Sequence, residues 1–278
     1  MKKIIAAIDA LHFSNDQLET FKYFAQKANG ALTVVCMDNL TTGAIPVAGV
    51  FSEPHEVTYE AISMEGRAAL QWQRNENIKA LHQRCDKDHI SIDTRESVSY
   101  PVEEVVNASR FADLLLISNS TSFTALSDSN PPRFVKDLLV EAACPVMVLP
   151  EVLSPVTEII FAYNGTYSSI YALRQFTLLY PGFKDTPVKV VYVAEDNERV
   201  IPLEYQLKDY LTTHYSKVDF VMMTGEPATV FLSLLIRRND CIVTYGAFGR
   251  SNMSRFFHHS DAENILRTTN IPIFITHP

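Results

Sequence analysis

Two stretches decide the fold: KKIIAAID at residues 2–9 and TEIIFAYN at residues 157–164. Each is a short apolar run that closes on a side-chain oxygen, Asp9 in one and Asn164 in the other. A run that is apolar on both sides, without strict alternation, is what a parallel strand buried on both faces requires. The pattern around the first copy recurs around the second, and the repeat fixes the organisation of the chain.

Working outward from residues 2–9, Ser14 or Asn15 can cap a helix with Leu18, Phe21, Phe24 and Ala25 on one face and Gly30 closing it. Residues 31–38 make a second strand. Residues 41–56, rich in Gly, Pro and Val, read as a long loop, and a long helix is expected from about Val57 to Arg84. Its stripe holds Ile62, Ala69, Leu70, Ile78, Leu81 and Cys85, with Trp72 off it, placed for packing or for a contact surface. A strand at 90–98, a helix at 102–111, a strand at 113–118, a helix at 134–143 and a strand at 145–149 (PVMVL) complete the unit. This alternation implies a parallel sheet with helices on both faces.

A proline-flanked linker at 151–156 precedes the second unit. There a helix at 168–180, a strand at 187–194, a helix at 202–215 and a strand at 218–224 follow residues 157–164. A helix at 227–238, a strand at 241–245, a helix at 261–269 and a last strand at 272–276 (PIFIT) close it. The expectation is two tandem doubly wound, Rossmann-like α/β domains, 1–150 and 151–278.

Composition narrows the function. A chain with 47% hydrophobic and 20% charged residues can bury a real core, and a net charge of −8 argues against a duplex nucleic-acid partner. No stretch approaches the roughly 20 apolar residues of a membrane span. The N-terminal MKKIIAAIDALHF is broken by Asp9 and His12 and lacks a small-residue cleavage site. Cys36, Cys85, Cys144 and Cys241 lie far apart without metal-ligand spacing, so they read as structural thiols and a cytoplasmic location is expected. Motifs of P-loops, nucleophile elbows, zincins and dinucleotide-binding turns are missing, so efficient catalysis is not expected.

The candidate site lies at 244–266, TYGAFGRSNMSRFFHHSDAENIL. Gly246 and Gly249 open a loop that carries Arg250, Arg255, His258 and His259 and no acid before Ser260. Ser260 and Glu263 then form a capping box. Backbone N–H groups and the positive end of a helix converge there, which suits an anion, phosphate first. The same residues also serve as a plain strand-to-helix connection. His258 and His259 are adjacent, so their side chains diverge, and no third ligand stands at metal spacing. Asp9 reads as a strand-end acid pairing with a nearby loop or helix start. Asn164-Gly165 reads as a turn or a ligand contact, and the Ser/Thr/Asn-rich 118–130 loop reads as solvated or as hydrogen-bonding a polar ligand.

These residues resemble the universal stress protein family. The match rests on the second-half loop, Gly246-Ala-Phe-Gly249, nine residues to His258, then His259-Ser260 and a helix, and on the terminal Cys144-Pro145-Val146 of the first half. The resemblance covers nearly the whole chain as a tandem of two domains. It implies five-stranded parallel sheets of the adenine nucleotide alpha hydrolase type with the first and fourth strands adjacent. It also implies ATP, with Mg2+ beside it, on Gly246, Gly249 and Ser260 of the second half, with Asn164 and His259 next to it. Arg250 or Arg255 adds charge on our own reading. The resemblance further implies action in stress response by binding and by contacts with a protein partner, slow ATP hydrolysis being compatible with it. Finally, it implies pairing of domains through their last strands, here within one chain, and a further homodimer.

The departures are specific. Asn164 replaces the family's Asp, and His259 replaces a Gly. The first half keeps Asp9 but has Ser118 and Thr121 for the two glycines and Pro131-Pro132 for Gly-Ser, with Pro131 expected at a first helical position. The first half is therefore not expected to bind ATP in the family manner. Two other readings stay open. One is an interaction scaffold without nucleotide, and the other is a small polar or lipid-like ligand under the 41–56 loop.

Overall fold

The computed structural model describes residues 1–38, 44–46, 59–61, 64–96, 98, 100–123, 129–194, 200–246, 261–276 and 278. Its first half contains β1 (Lys2–Asp9), α1 (Asn15–Lys27), β2 (Gly30–Met37), β3 (Ala44–Pro46), β4 (Tyr59–Ala61) and α2 (Met64–Lys87). It continues with β5 (Ser91–Arg95), α3 (Pro101–Ser109), β6 (Leu114–Ser118), α4 (Arg133–Glu141) and β7 (Val146–Leu149). The second half contains β8 (Glu158–Tyr163), α5 (Tyr167–Leu179), a 3-10 turn at Pro181–Phe183, β9 (Val188–Ala194) and α6 (Glu204–His214). After these come β10 (Val218–Thr224), α7 (Pro227–Leu235), β11 (Cys241–Gly246), α8 (Asp261–Thr268) and β12 (Ile273–Thr276).

Ten strands form one sheet in the order β10-β9-β8-β11-β12-β7-β6-β1-β2-β5. Within each half all pairings are parallel, and the first strand lies between the second and the fourth, β1 between β2 and β6, β8 between β9 and β11. The halves meet where β7 and β12 pair antiparallel, Ile273 opposite Val148 and Ile275 opposite Val146. β3 and β4 form a separate antiparallel pair.

The apolar runs explain this layering. In β1, Ile4, Ala6 and Ile8 face one hydrophobic layer and Ile5 and Ala7 the other. α1, α2, α5 and α6 bury Phe21, Leu81, Phe176 and Leu211 on the first face. α3, α4, α7 and α8 bury Val105, Leu138, Leu235 and Ile265 on the second. The first layer runs across the seam: Phe24 of α1 meets Tyr180 edge-on at 5.9 Å and Phe183 at 6.1 Å, and Phe176 meets Phe274 at 5.3 Å. A side-chain hydrogen bond crosses here too, Lys2 Nζ donating to the Leu179 carbonyl at 3.0 Å.

Three local expectations are corrected. Gly30 does not close α1; it begins β2, and Asn29 takes the left-handed turn at φ 53° that ends the helix. The long helix begins at Met64 and not at Val57, because Tyr59–Ala61 pairs with Ala44–Pro46 as a strand. Of its expected stripe, Leu81 and Cys85 are buried but Ala69 is exposed. Pro131 is not a first helical residue: α4 starts at Arg133 with Pro132 as N-cap, and the Asn130–Pro131 bond is cis.

Candidate functional site

A parallel sheet whose strand order reverses leaves a crevice at the carboxyl ends of the two strands that diverge. This molecule has two, beyond β8 and β11 and beyond β1 and β6.

In the second half, Asn164 directly follows β8 and Gly246 ends β11, so the fold brings both to one crevice. Each has a local job. The Asn164 Oδ1 accepts from the Thr166 N–H at 3.1 Å and from the Thr166 hydroxyl at 2.7 Å. Gly165 takes φ +75°, and Thr166 then caps α5 by accepting from the Ser169 N–H at 3.4 Å. Gly246 is the last residue of β11, opposite Thr276. A Cβ on it would stand 2.1 Å from the Ser168 carbonyl oxygen, so only glycine lets the start of α5 approach β11 this closely. The other expected contacts, Gly249, Arg250, His259 and Ser260, and with them Arg255 and His258, lie outside the described residues.

In the first half the crevice is a cavity of about 630 Å³. Its floor is Asp9, buried at 5% exposure, with Oδ1 accepting from the Leu11 N–H at 2.9 Å and Oδ2 from His12 Nδ1 at 2.7 Å. That hydrogen bond, aided by the charge of Asp9 and opposed by partial burial, raises His12 above its ordinary value of 6.5. On one wall stands Gln17 of α1, whose Nε2 reaches the Thr121 hydroxyl at the long distance of 3.5 Å. The Ser118 and Ser120 hydroxyls bond each other at 2.9 Å, and the Asn119 N–H is held by the Leu149 carbonyl at 2.8 Å, which fixes the loop after β6. The opposite wall comes from the second half, residues 266–270 at the end of α8. Antiparallel pairing explains that: the amino end of β12 lies beside the carboxyl end of β7, so the chain entering β12 passes over the crevice of the first half.

Solved structures share this architecture. A universal stress protein from Archaeoglobus fulgidus DSM 4304 superposes with a TM-score of 0.65 at 14% identity, covering 98% of this chain and 96% of that one. The chain has the universal stress protein fold. A functionally unknown protein from Pseudomonas aeruginosa PAO1 gives a TM-score of 0.58 at 12% identity, covering 100% and 93% of the two chains. A candidate universal stress protein from Pseudomonas aeruginosa UCBPP-PA14 gives 0.54 at 13%, covering 100% and 94%. No family model and no curated protein matches the sequence.

All four cysteines are free and buried. Burial pushes the Cys36 and Cys144 thiols up to about 12 and those of Cys85 and Cys241 up to about 11, so none is a thiolate near neutral pH. Among the described residues no group of three or more His, Cys, Asp or Glu side chains could hold a metal ion, and no helix is long and apolar enough to cross a membrane. Sequence reasoning singled out Asp9, Thr121 and the 118–130 loop but missed Gln17 and residues 266–270. Gln17 carries no motif, and the end of α8 reaches this crevice only through the β7–β12 pairing.

Proposed function

We propose that this chain acts in stress response by binding and not by turnover, seating an adenine nucleotide, ATP with Mg2+, in the crevice of the second half and signalling through protein contacts. The observation that carries this reading is the state of Asn164. Its oxygen is held by Thr166, while its amide nitrogen makes no hydrogen bond among the described residues and the residue is exposed. A neutral donor at a strand-order reversal fits a ribose or phosphate oxygen. The glycine-bearing, acid-free 246–259 stretch leads from that point to the amino end of α8, where N–H groups and the helix dipole favour an anion. Bound there, a nucleotide alters what this stretch presents to a partner. Action inside the cell follows from the same reading.

A second reading is an interaction scaffold that binds no nucleotide. Gly246 favours it, because packing against Ser168 accounts for that glycine without a ligand.

Titration calorimetry with ATP and magnesium, beside a Gly249→Asp variant, separates the two. The added carboxylate repels phosphate and blocks close backbone approach. One site per chain, lost in the variant, is the expected outcome. Absence of heat at millimolar ATP would leave the scaffold.

A further inference from the structure

The cavity over β1 and β6 is a second site, and its chemistry differs from that of the first. We propose that it binds an uncharged polyhydroxylated molecule, a sugar or sugar-like polyol, between the first half and the end of α8.

Size comes first. At about 630 Å³ the cavity falls within the roughly 300–1,000 Å³ of small-molecule sites. The second observation is Gln17. It is 7% exposed and lines the cavity; its nitrogen has only the 3.5 Å contact with Thr121, and its oxygen has no hydrogen bond among the described residues. That oxygen is not sealed from solvent, so it stands open to the cavity as an acceptor for a donor that a ligand brings.

Charge then selects the ligand. Asp9 and His12 pair at 2.7 Å, Arg267 is exposed at the rim, and the remaining polar lining among the described residues consists of hydroxyls and amides. An anion on the floor would face the Asp9 carboxylate, and Arg267, the arginine among the described lining residues, stands away from it at the rim. The two residues before α4, Pro131 and Pro132, have no N–H to give a phosphate. A sugar hydroxyl both donates and accepts, which suits this lining. Each Asp9 oxygen already holds one donor and has capacity for another. Gln17 accepts through its oxygen, and the hydroxyls at 120 and 121 act either way. Leu266 and Pro132 give the C–H face of a sugar ring an apolar surface.

The test is calorimetry and thermal shift on the full chain with ribose, glucose, trehalose and myo-inositol as probes. The expected result is saturable binding of at least one of them, with a Kd between about 10 μM and 1 mM. Gln17→Leu is expected to weaken it about tenfold, as the loss of one buried hydrogen bond does. Asn270→Ala, from the second half, weakens the same binding. Thr121→Val replaces Gln17→Leu if that variant does not fold. Gly249→Asp keeps sugar binding, and ATP does not compete, so failure of this site and failure of the nucleotide site are distinguishable. The proposal is overturned if none of the four probes binds at about 50 mM, well above that Kd range. It is equally overturned if Gln17→Leu and Thr121→Val bind like the parent, if Asn270→Ala has no effect, or if ATP displaces the sugar.

Discussion

Asp9 and His12 sit where β1 runs out, and their contact raises His12. Because the folded state raises His12, its protonation contributes stability fully below 6.5, and that contribution is lost as pH rises through the raised value. The His12 imidazole should titrate above 6.5 by NMR, and in Asp9→Asn its midpoint should fall back towards 6.5. A midpoint unchanged by Asp9→Asn would mean that the 2.7 Å contact does not set the titration. Asp9 was legible in the sequence because an acid that ends an apolar run has few places to go. Gln17 was not, since it differs from an exposed helix glutamine only in which way the helix turns it. That turn is set by Leu18, Phe21 and Phe24 packing on the sheet.

Among the elements, the contact between β11 and α5 is the one the site depends on. Gly246→Ala would put a methyl against the Ser168 carbonyl, a backbone atom that cannot swing aside. We expect a loss of about 1–3 kcal/mol, as for other overpacking substitutions. Urea unfolding of the ligand-free protein measures it; an unchanged midpoint would mean that α5 shifts freely. The same variant warns against reading any loss of nucleotide binding at this position as a lost phosphate contact. Most elements were legible because their apolar runs are long and their breaks are sharp; β10 spans the expected 218–224. The failures have separate causes. The Val57 start of α2 failed because β4 is defined by its partner β3, far off in sequence, and Gly30 misled because Asn29 also tolerates the left-handed turn.

Over the whole molecule, one sheet and one aromatic layer run across the seam, so the halves should not unfold separately. Phe24→Ala removes a buried ring at the centre of that layer, for which a loss of about 3–5 kcal/mol is expected. Hydrogen exchange should show protection falling in both halves; a loss confined to residues 1–150 would mean that they are independent units. Pairing β7 with β12 also uses up both inner edges, leaving β5 and β10 at the ends of the sheet. Two separate, identical chains joined at this edge would carry every substitution twice, once on each side of a symmetry axis. Joined in one polypeptide, each crevice answers to its own residues: one keeps an acid at its strand end, the other an amide and a glycine. A duplicated sheet with a covalent link is thus free to become asymmetric, and its two crevices can diverge in what they hold while staying in a fixed one-to-one ratio.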